Sequence, residues 1–313
     1  MDRKVKDVLI NQKIPFLIIV LGIVFSFFIP GFLGYKNIIQ ILLRISIEGI
    51  IVIGITYLII CREIDLSVGQ IMGMSAAFSV LLQDYNIVLA VIVSIAVGAL
   101  IGFVNGLIVV KLKIPSIAST LGMMVFLNGL VFLITDSDSI YGKNEAFQSI
   151  ADSKFLGIPT VLIILFLLII IFDVVLRRTV WGKNIYATGN NITAARYTNI
   201  NVDRLRISVF VLTGTLCGIA GMLLVSRFNV ASGAIGKNTP LFVIIAVLLG
   251  GVSLSGGEGN VFKAFLGLLL VGVIENIFIN LKFHTSYKFI VMGTILIVLL
   301  SIDGVYMIRS KYK

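Results

Sequence analysis

The sequence predicts an all-α integral membrane protein, a polytopic bundle of about ten transmembrane helices with both termini in the cytoplasm. Three observations predict it. Of 313 residues, 58% are hydrophobic and only 13% charged, with mean hydropathy +1.10, whereas soluble domains carry about 25% charged residues. The apolar runs are long and continuous, near the ~20 residues that cross a bilayer as a helix, and lack the short alternations of a membrane barrel. Lys and Arg are unevenly shared between alternate connecting segments.

Taken in order, spans are predicted at about 14–33, 38–60, 66–83, 87–110, 114–134, 159–176, 206–227, 241–254, 262–281 and 288–307. The first follows the charged stretch "MDRKVKDVLINQK", which mimics a signal peptide. No A-x-A-like cleavage site follows "IPFLIIVLGIVFSFFIP", so a retained helix is expected. With the N-terminus inside, the inner segments hold Arg3, Lys4, Lys6, Lys13, Arg62, Lys111, Lys113, Arg177, Arg178, Lys183, Arg196, Arg204, Arg206, Lys263, Arg309, Lys311 and Lys313. The outer ones hold Lys36, Lys143, Lys154, Arg227, Lys237, Lys282 and Lys288. That inward bias accounts for the net charge of +10 without nucleic acid as a partner; the partner it implies is a lipid bilayer. Two cysteines, Cys61 and Cys217, lie in or beside apolar runs and form neither a disulfide framework nor a metal spacing.

Two connections are long. Residues 135–158 form an outer loop whose acids, Asp136, Asp138, Glu145 and Asp152, lack regular metal-ligand spacing and read as a solvated polar loop. Residues 177–205 form the inner one. Within it, Asn191 or Thr193 is placed to cap a short helix over Ala194–Tyr197, and Asn199 suits a left-handed C-terminal position.

The break "CREIDLSVGQ" puts Arg62, Glu63 and Asp65 between two apolar runs. Ser67 to Gln70 has the form of a capping box, so a helix is expected to begin there, with Asp65 near its positive end. The charges then mark a reversal at the inner surface. "SLSGGEG" repeats the pattern with Ser255 and Glu258 among glycines. Glycine density there permits left-handed backbone and tight helix contact. No Gly-Lys-Ser/Thr follows, which argues against phosphate binding.

"EIDLSVGQ", "GFVNGLIVVKLKIPSIASTLGMM", "FLGIP", "WGKNIYATGNN-TAAR-TNINV" and "AVLLGGVSLSGGEGNVFKAFLG" occur in order from about residue 35 to 303. This combination resembles the permeases of bacterial ABC importers for ribose and related sugars; "EIDLSVG" with "ATGNN" is similar to the autoinducer-2 and rhamnose members. The resemblance implies one transmembrane permease domain over residues 1–313 and a place in the bacterial cytoplasmic membrane. Its implied partners are cytosolic ATP-binding subunits, a second permease subunit (identical or not) and an extracytoplasmic solute-binding protein. ATP and magnesium would sit on the ATPase, with no cofactor, metal or catalytic residue in this chain. It also implies that Asn191, Thr193, Ala194, Arg196 and Asn199 form the segment coupled to the ATPase, and that Asp65, Ser67, Gly69, Gly250, Gly251, Gly256 and Gly257 form the motif core. The sequence departs from the family's pattern at Ile192 and Asn199, at Asn128, where a basic residue is common, and at Pro240 and Phe242, where acids are common.

A path for a polar solute needs polar groups facing a cavity within the membrane. Asn105, Thr120, Asn128, Glu275 and Asn276 are the candidates, with interhelical hydrogen bonding as their other use. Arg44 and Glu48, spaced i,i+4, are expected to pair with each other. His284, near an outer end, is expected at the surface. The competing function is an ion-coupled secondary transporter of a small polar solute, for which Glu48 and Glu275 are the intramembrane acids. An enzyme is disfavoured by the absence of H-E-x-x-H, G-x-S-x-G or a carboxylate cluster within a span.

Overall fold

The computed structural model describes residues 13–311. Its helices are α1 (Lys13–Ser26), α2 (Tyr35–Arg44), α3 (Ser46–Ile60), α4 (Val68–Gln83), α5 (Ile87–Lys111), α6 (Ser116–Ile134), α7 (Glu145–Asp152), α8 (Thr160–Arg178), α9 (Val180–Asn190), α10 (Ile192–Tyr197), α11 (Val202–Phe228), α12 (Thr239–Leu249), α13 (Val261–Asn280) and α14 (Thr285–Lys311). Each of the ten expected segments overlaps a helix, but 14–33 runs past Ser26, 38–60 is broken at Ile45, and 241–254 runs past Leu249 into a turn. Five helices, α5, α6, α8, α11 and α13, are long and apolar enough to cross a bilayer, and α2 with α3 makes a sixth candidate bent by 49°. Shorter apolar helices occur at Ile14–Ser26, Val68–Gln83, Thr239–Leu249 and Ser286–Val298. The charged N-terminal stretch and the two chain ends lie outside the described residues.

Helix α3 is apolar on every side, which suits a helix enclosed by others. Every one of its residues is buried except Glu48. Around it pack α11, α12, α13 and α8. Helix α11 also lies along α5, where Gly98 and Gly102 face Gly214 and Gly218 so closely that a Cβ at any of the four would meet opposing backbone. Small residues spaced four apart on both helices allow this contact, which in lipid rests on close van der Waals packing. Outward, Ile92, Leu100, Val125, Phe126, Leu133, Leu167 and Ile170 are exposed. Exposed apolar side chains of this kind on α5, α6 and α8 are what acyl chains solvate.

The connection over 135–158, expected as a solvated polar loop, is folded instead. Ile140–Tyr141 pairs antiparallel with Val230–Ala231, and Lys154–Phe155 with Ile158–Pro159. Between them α7 packs on α11. Phe147 is fully buried, and Ser226 of α11 donates to the Phe147 carbonyl at 2.7 Å while accepting the Ala151 N–H at 2.9 Å. An amphipathic turn of helix, with one aromatic anchor, turns a polar sequence into a folded cap.

Candidate functional site

The polar groups gather in two places. The first surrounds residues 61–67. Helix α3 closes in a Schellman arrangement: the Arg62 N–H donates to the Ile59 carbonyl at 3.0 Å and the Glu63 N–H to that of Leu58 at 2.8 Å. Arg62 therefore carries φ 62, a conformation usually left to glycine. Its side chain accounts for an arginine there. Nε donates to the Ser255 carbonyl, and Nη2 to the Asn190 carbonyl at 3.1 Å. The Gly257 N–H donates to Ile60 at 2.9 Å, and the Tyr186 hydroxyl to Gly259 at 2.7 Å. The end of α3, the end of α9 and the glycine loop 250–259 are thus stitched together. Next to them Arg206 Nε donates to Glu63 Oε1 at 2.7 Å; the Glu63 side chain is only 5% exposed.

The expected capping boxes are not formed. Helix α4 begins at Val68, after Ser67, but the Ser67 side chain makes no capping bond. Instead Asp65 Oδ1 accepts from both the N–H and the hydroxyl of Ser67, an Asx-type turn that takes the serine away from the helix. Gln70 Oε1 is buried without a partner and does not reach back. Asp65 is fully buried; burial pushes its carboxyl pKa up, and hydrogen bonds from Ser67 and Asn105 pull it down. Two of the expected path residues serve this turn: Asn105 Nδ2 donates to Asp65 Oδ2 at 3.2 Å, and Thr120 Oγ1 accepts the Leu66 N–H at 3.0 Å. Downstream, Ser255 and Glu258 start no helix either. Gly251, Gly256 and Gly257 have φ between 74° and 80°, so the segment is a left-handed glycine turn, and Asn260 caps α13 by accepting from Lys263 N–H at 2.8 Å. Gly69 lies against Gly236, and Gly250 against Ala264.

Beyond α9 the chain forms a short helix. Asn191, not Thr193, caps α10, its Oδ1 accepting from Ala194 N–H at 3.0 Å. Asn199 has φ 61, the left-handed exit expected. Ala195 is buried, while Thr193, Ala194 and Arg196 are exposed and Tyr197 is 88% exposed. Arg196 Nη2 bonds Asp203 Oδ1 at 2.9 Å, and Lys111 approaches the same carboxylate at 3.8 Å. Behind lies a cavity of about 740 Å³ that includes Arg62, Ile192, Arg196, Asp203 and Arg206 in its wall.

The second place lies toward the other ends of α3 and α13. Two cavities, of about 310 and 530 Å³, share Arg44 and Glu48. The pairing expected between those two does not occur. The bend after Arg44 breaks the i,i+4 register, and Arg44 Nη1 turns to Glu275 Oε1 at 3.8 Å. Lys288 donates to the same Glu275 oxygen and stands 4.4 Å from the centre of the Phe242 ring. One Glu48 oxygen, Oε2, is buried and without a hydrogen-bond partner. Glu275 lines the smaller cavity and Asn276 the larger; Asn276 also exchanges amide hydrogen bonds with Asn37 at 3.0 and 3.1 Å. Asn128 Nδ2 donates to the Gly233 carbonyl at 3.1 Å. Arg227 lines the larger cavity and donates to Leu43. His284 is exposed. Among the described residues no three His, Cys, Asp or Glu are grouped to hold a metal ion.

Sequence reasoning missed Arg62, Arg227, Tyr197 and Lys288. For Arg62 no local signal marks a left-handed arginine. Lys288 enters the sequence reading only as one of the basic residues counted on the outer side. Tyr197 ends the expected short helix over Ala194–Tyr197, and nothing local marks it as an exposed contact residue.

The family described as branched-chain amino acid transport system / permease component matches residues 37–300. Among curated proteins, the chain is similar to the ribose import permease protein RbsC of Bacillus subtilis, with 35% identity over 94% of this chain and 93% of that one. It is also similar to the L-arabinose ABC transporter permease protein AraH of Azospirillum brasilense, 32% identical over 94% of this chain and 88% of the other. The autoinducer 2 import system permease protein LsrC of Enterobacter sp. is 31% identical over 88% of this chain and 81% of its own length. No solved structure matches.

Proposed function

The chain belongs to the permease family of ribose-type ABC importers, and on that premise we propose that it forms half of a path that brings a sugar into the cell, driven by ATP hydrolysis on separate cytosolic subunits. It is a multi-pass protein of the bacterial cytoplasmic membrane and a transport subunit, not an enzyme. A permease of this family binds no cofactor itself; in the reading proposed here, ATP and magnesium belong to the ATPase. The finer reading is ten spans in a single domain over residues 1–313, with both termini cytoplasmic. Its partners are two ATPase subunits, a second permease subunit and an extracytoplasmic sugar-binding protein.

One observation carries the reading. A capped, exposed helix, α10, stands at one end of the molecule, and two charged cavities stand toward the other, with α3 running between them. In this reading Thr193, Ala194 and Arg196, framed by Asn191 and Asn199, meet the ATPase. Arg62 and the glycine turn 250–259 pass that contact to α3 and α12. Glu275 and Asn276 face the solute, and Asn128 stands near it. Asn105 and Thr120 hold the turn at Asp65 and act on the path through it. Family membership favours this subunit role over an ion-coupled carrier. The experiment is uptake of labelled sugar by membrane vesicles with and without the ATPase subunit. Uptake that needs both the ATPase and ATP is expected. Uptake by this chain alone, following an ion gradient, would contradict the proposal.

A further inference from the structure

We propose that Glu48 is the residue of this chain that reads the solute's hydroxyl groups, and that the two cavities it borders take a neutral polyhydroxylated ligand. This rests on the permease reading above.

Glu48 is the single residue of α3 that is not buried. It sits in the first turn after the 49° bend and lines both cavities. Three cations around the cavities have partners, while a fourth, Lys237, lines the smaller cavity from an exposed position. Arg44 and Lys288 share the Glu275 carboxylate, and Arg227 donates to the Leu43 carbonyl. Among the described residues Glu48 forms no ion pair, and its Oε2 is buried with no hydrogen-bond partner. An unpartnered acceptor inside a protein is costly, so a carboxyl kept in the wall between two cavities points to a donor from outside the chain.

A carboxylate has two oxygens and about four acceptor sites, enough for two adjacent hydroxyls at once. Neutral hydroxyls supply those donors without bringing a second charge into an apolar bundle, which a charged ligand would do. The cavity volumes, about 310 and 530 Å³, fall within the roughly 300–1,000 Å³ of small-molecule sites. Ions on Glu275 then act as a frame: they hold Arg44 away from Glu48 and leave its carboxyl free. A site that hydrogen-bonds a hydroxyl rejects an analogue lacking it, because the site's own group is left unpaired.

The test uses the complete importer, reconstituted with its ATPase and binding protein, and labelled D-ribose and L-arabinose, with excess 2-deoxy-D-ribose as competitor. The wild type is expected to import at least one pentose and to resist the deoxy competitor. Glu48→Gln is expected to raise KM for uptake by at least about tenfold and to lose discrimination against the deoxy sugar, while the chain still co-purifies with the ATPase. Glu48→Asp provides a second reading should Glu48→Gln not reach the membrane, with a smaller rise in KM. A wild-type KM and unchanged discrimination in either variant overturn the proposal. Import of neither pentose by a wild type that still binds its ATPase overturns the polyol assignment and leaves the permease reading standing. A wild type that binds no ATPase overturns both.

Discussion

The turn at 61–67 and the cavities beside 44–48 both place charged side chains in an apolar bundle, yet they satisfy them differently. At the turn Glu63 meets Arg206, Arg62 is spent on two carbonyls, and Asp65 accepts from Ser67 and Asn105. At the cavities one carboxylate, Glu275, serves two cations, and another, Glu48, keeps an oxygen without a partner. A buried charge whose bonds are filled from within specifies structure. A buried charge left with open capacity beside empty volume is positioned for something that comes and goes. The difference separates the frame of this protein from its proposed path more sharply than residue type does, since both regions combine glutamate with arginine.

Breaking the frame should cost most. Arg206→Leu leaves Glu63 buried without its cation, and we expect a loss of about 3–5 kcal/mol in stability, read as collapse of the monodisperse fraction in detergent. Glu63→Leu combined with Arg206→Leu should recover much of it, because a matched apolar pair leaves no orphan charge. Asp65→Ala strands the Ser67 N–H and an Asn105 donor, with an expected cost of about 2–3 kcal/mol; thermal unfolding of the purified chain checks it, and transport should fall with it. Glu275→Gln sharpens the contrast. Its partners are part-exposed, so stability should move by about 1 kcal/mol or less, while uptake kinetics change because Arg44 and Lys288 lose their shared anchor. Lys143→Ala, in the outer cap, should stay within about 0.5 kcal/mol of wild type with normal uptake. Equal, near-normal uptake by Asp65→Ala and Lys143→Ala would erase the distinction between frame and surface.

Much of this was legible in the sequence, for physical reasons. Long apolar runs favour helix whether lipid or other helices cover them, so each of the ten segments overlaps a helix, though 14–33 and 241–254 overrun theirs into turns. Asn191 and Asn199 follow local rules of capping and left-handed exit, and both positions behave so. The failures are tertiary. Ser67 and Gln70 fit a capping box in sequence, but Asp65, two residues before the serine, competes for its hydroxyl and wins inside a dry turn. Arg44 and Glu48 have helical spacing, but the helix bends between them and offers Arg44 another acid 231 residues away (275 − 44). The four-residue glycine spacing at Gly98, Gly102, Gly214 and Gly218 was present and went unread; it marks the α5–α11 contact. Such pairings join distant parts of the chain, and no local pattern carries them.

The central claim is that α10 couples this chain to an ATPase. The direct measurement is co-purification of the tagged ATPase subunit with wild type and with Arg196→Glu, a reversal of charge on an exposed side chain (60% accessible). The account predicts that wild type retains the ATPase and that the variant, still folded and at normal membrane levels, releases it. Equal retention by both would contradict the assignment of α10, and no retention by either, with sugar still moving, would contradict the importer itself.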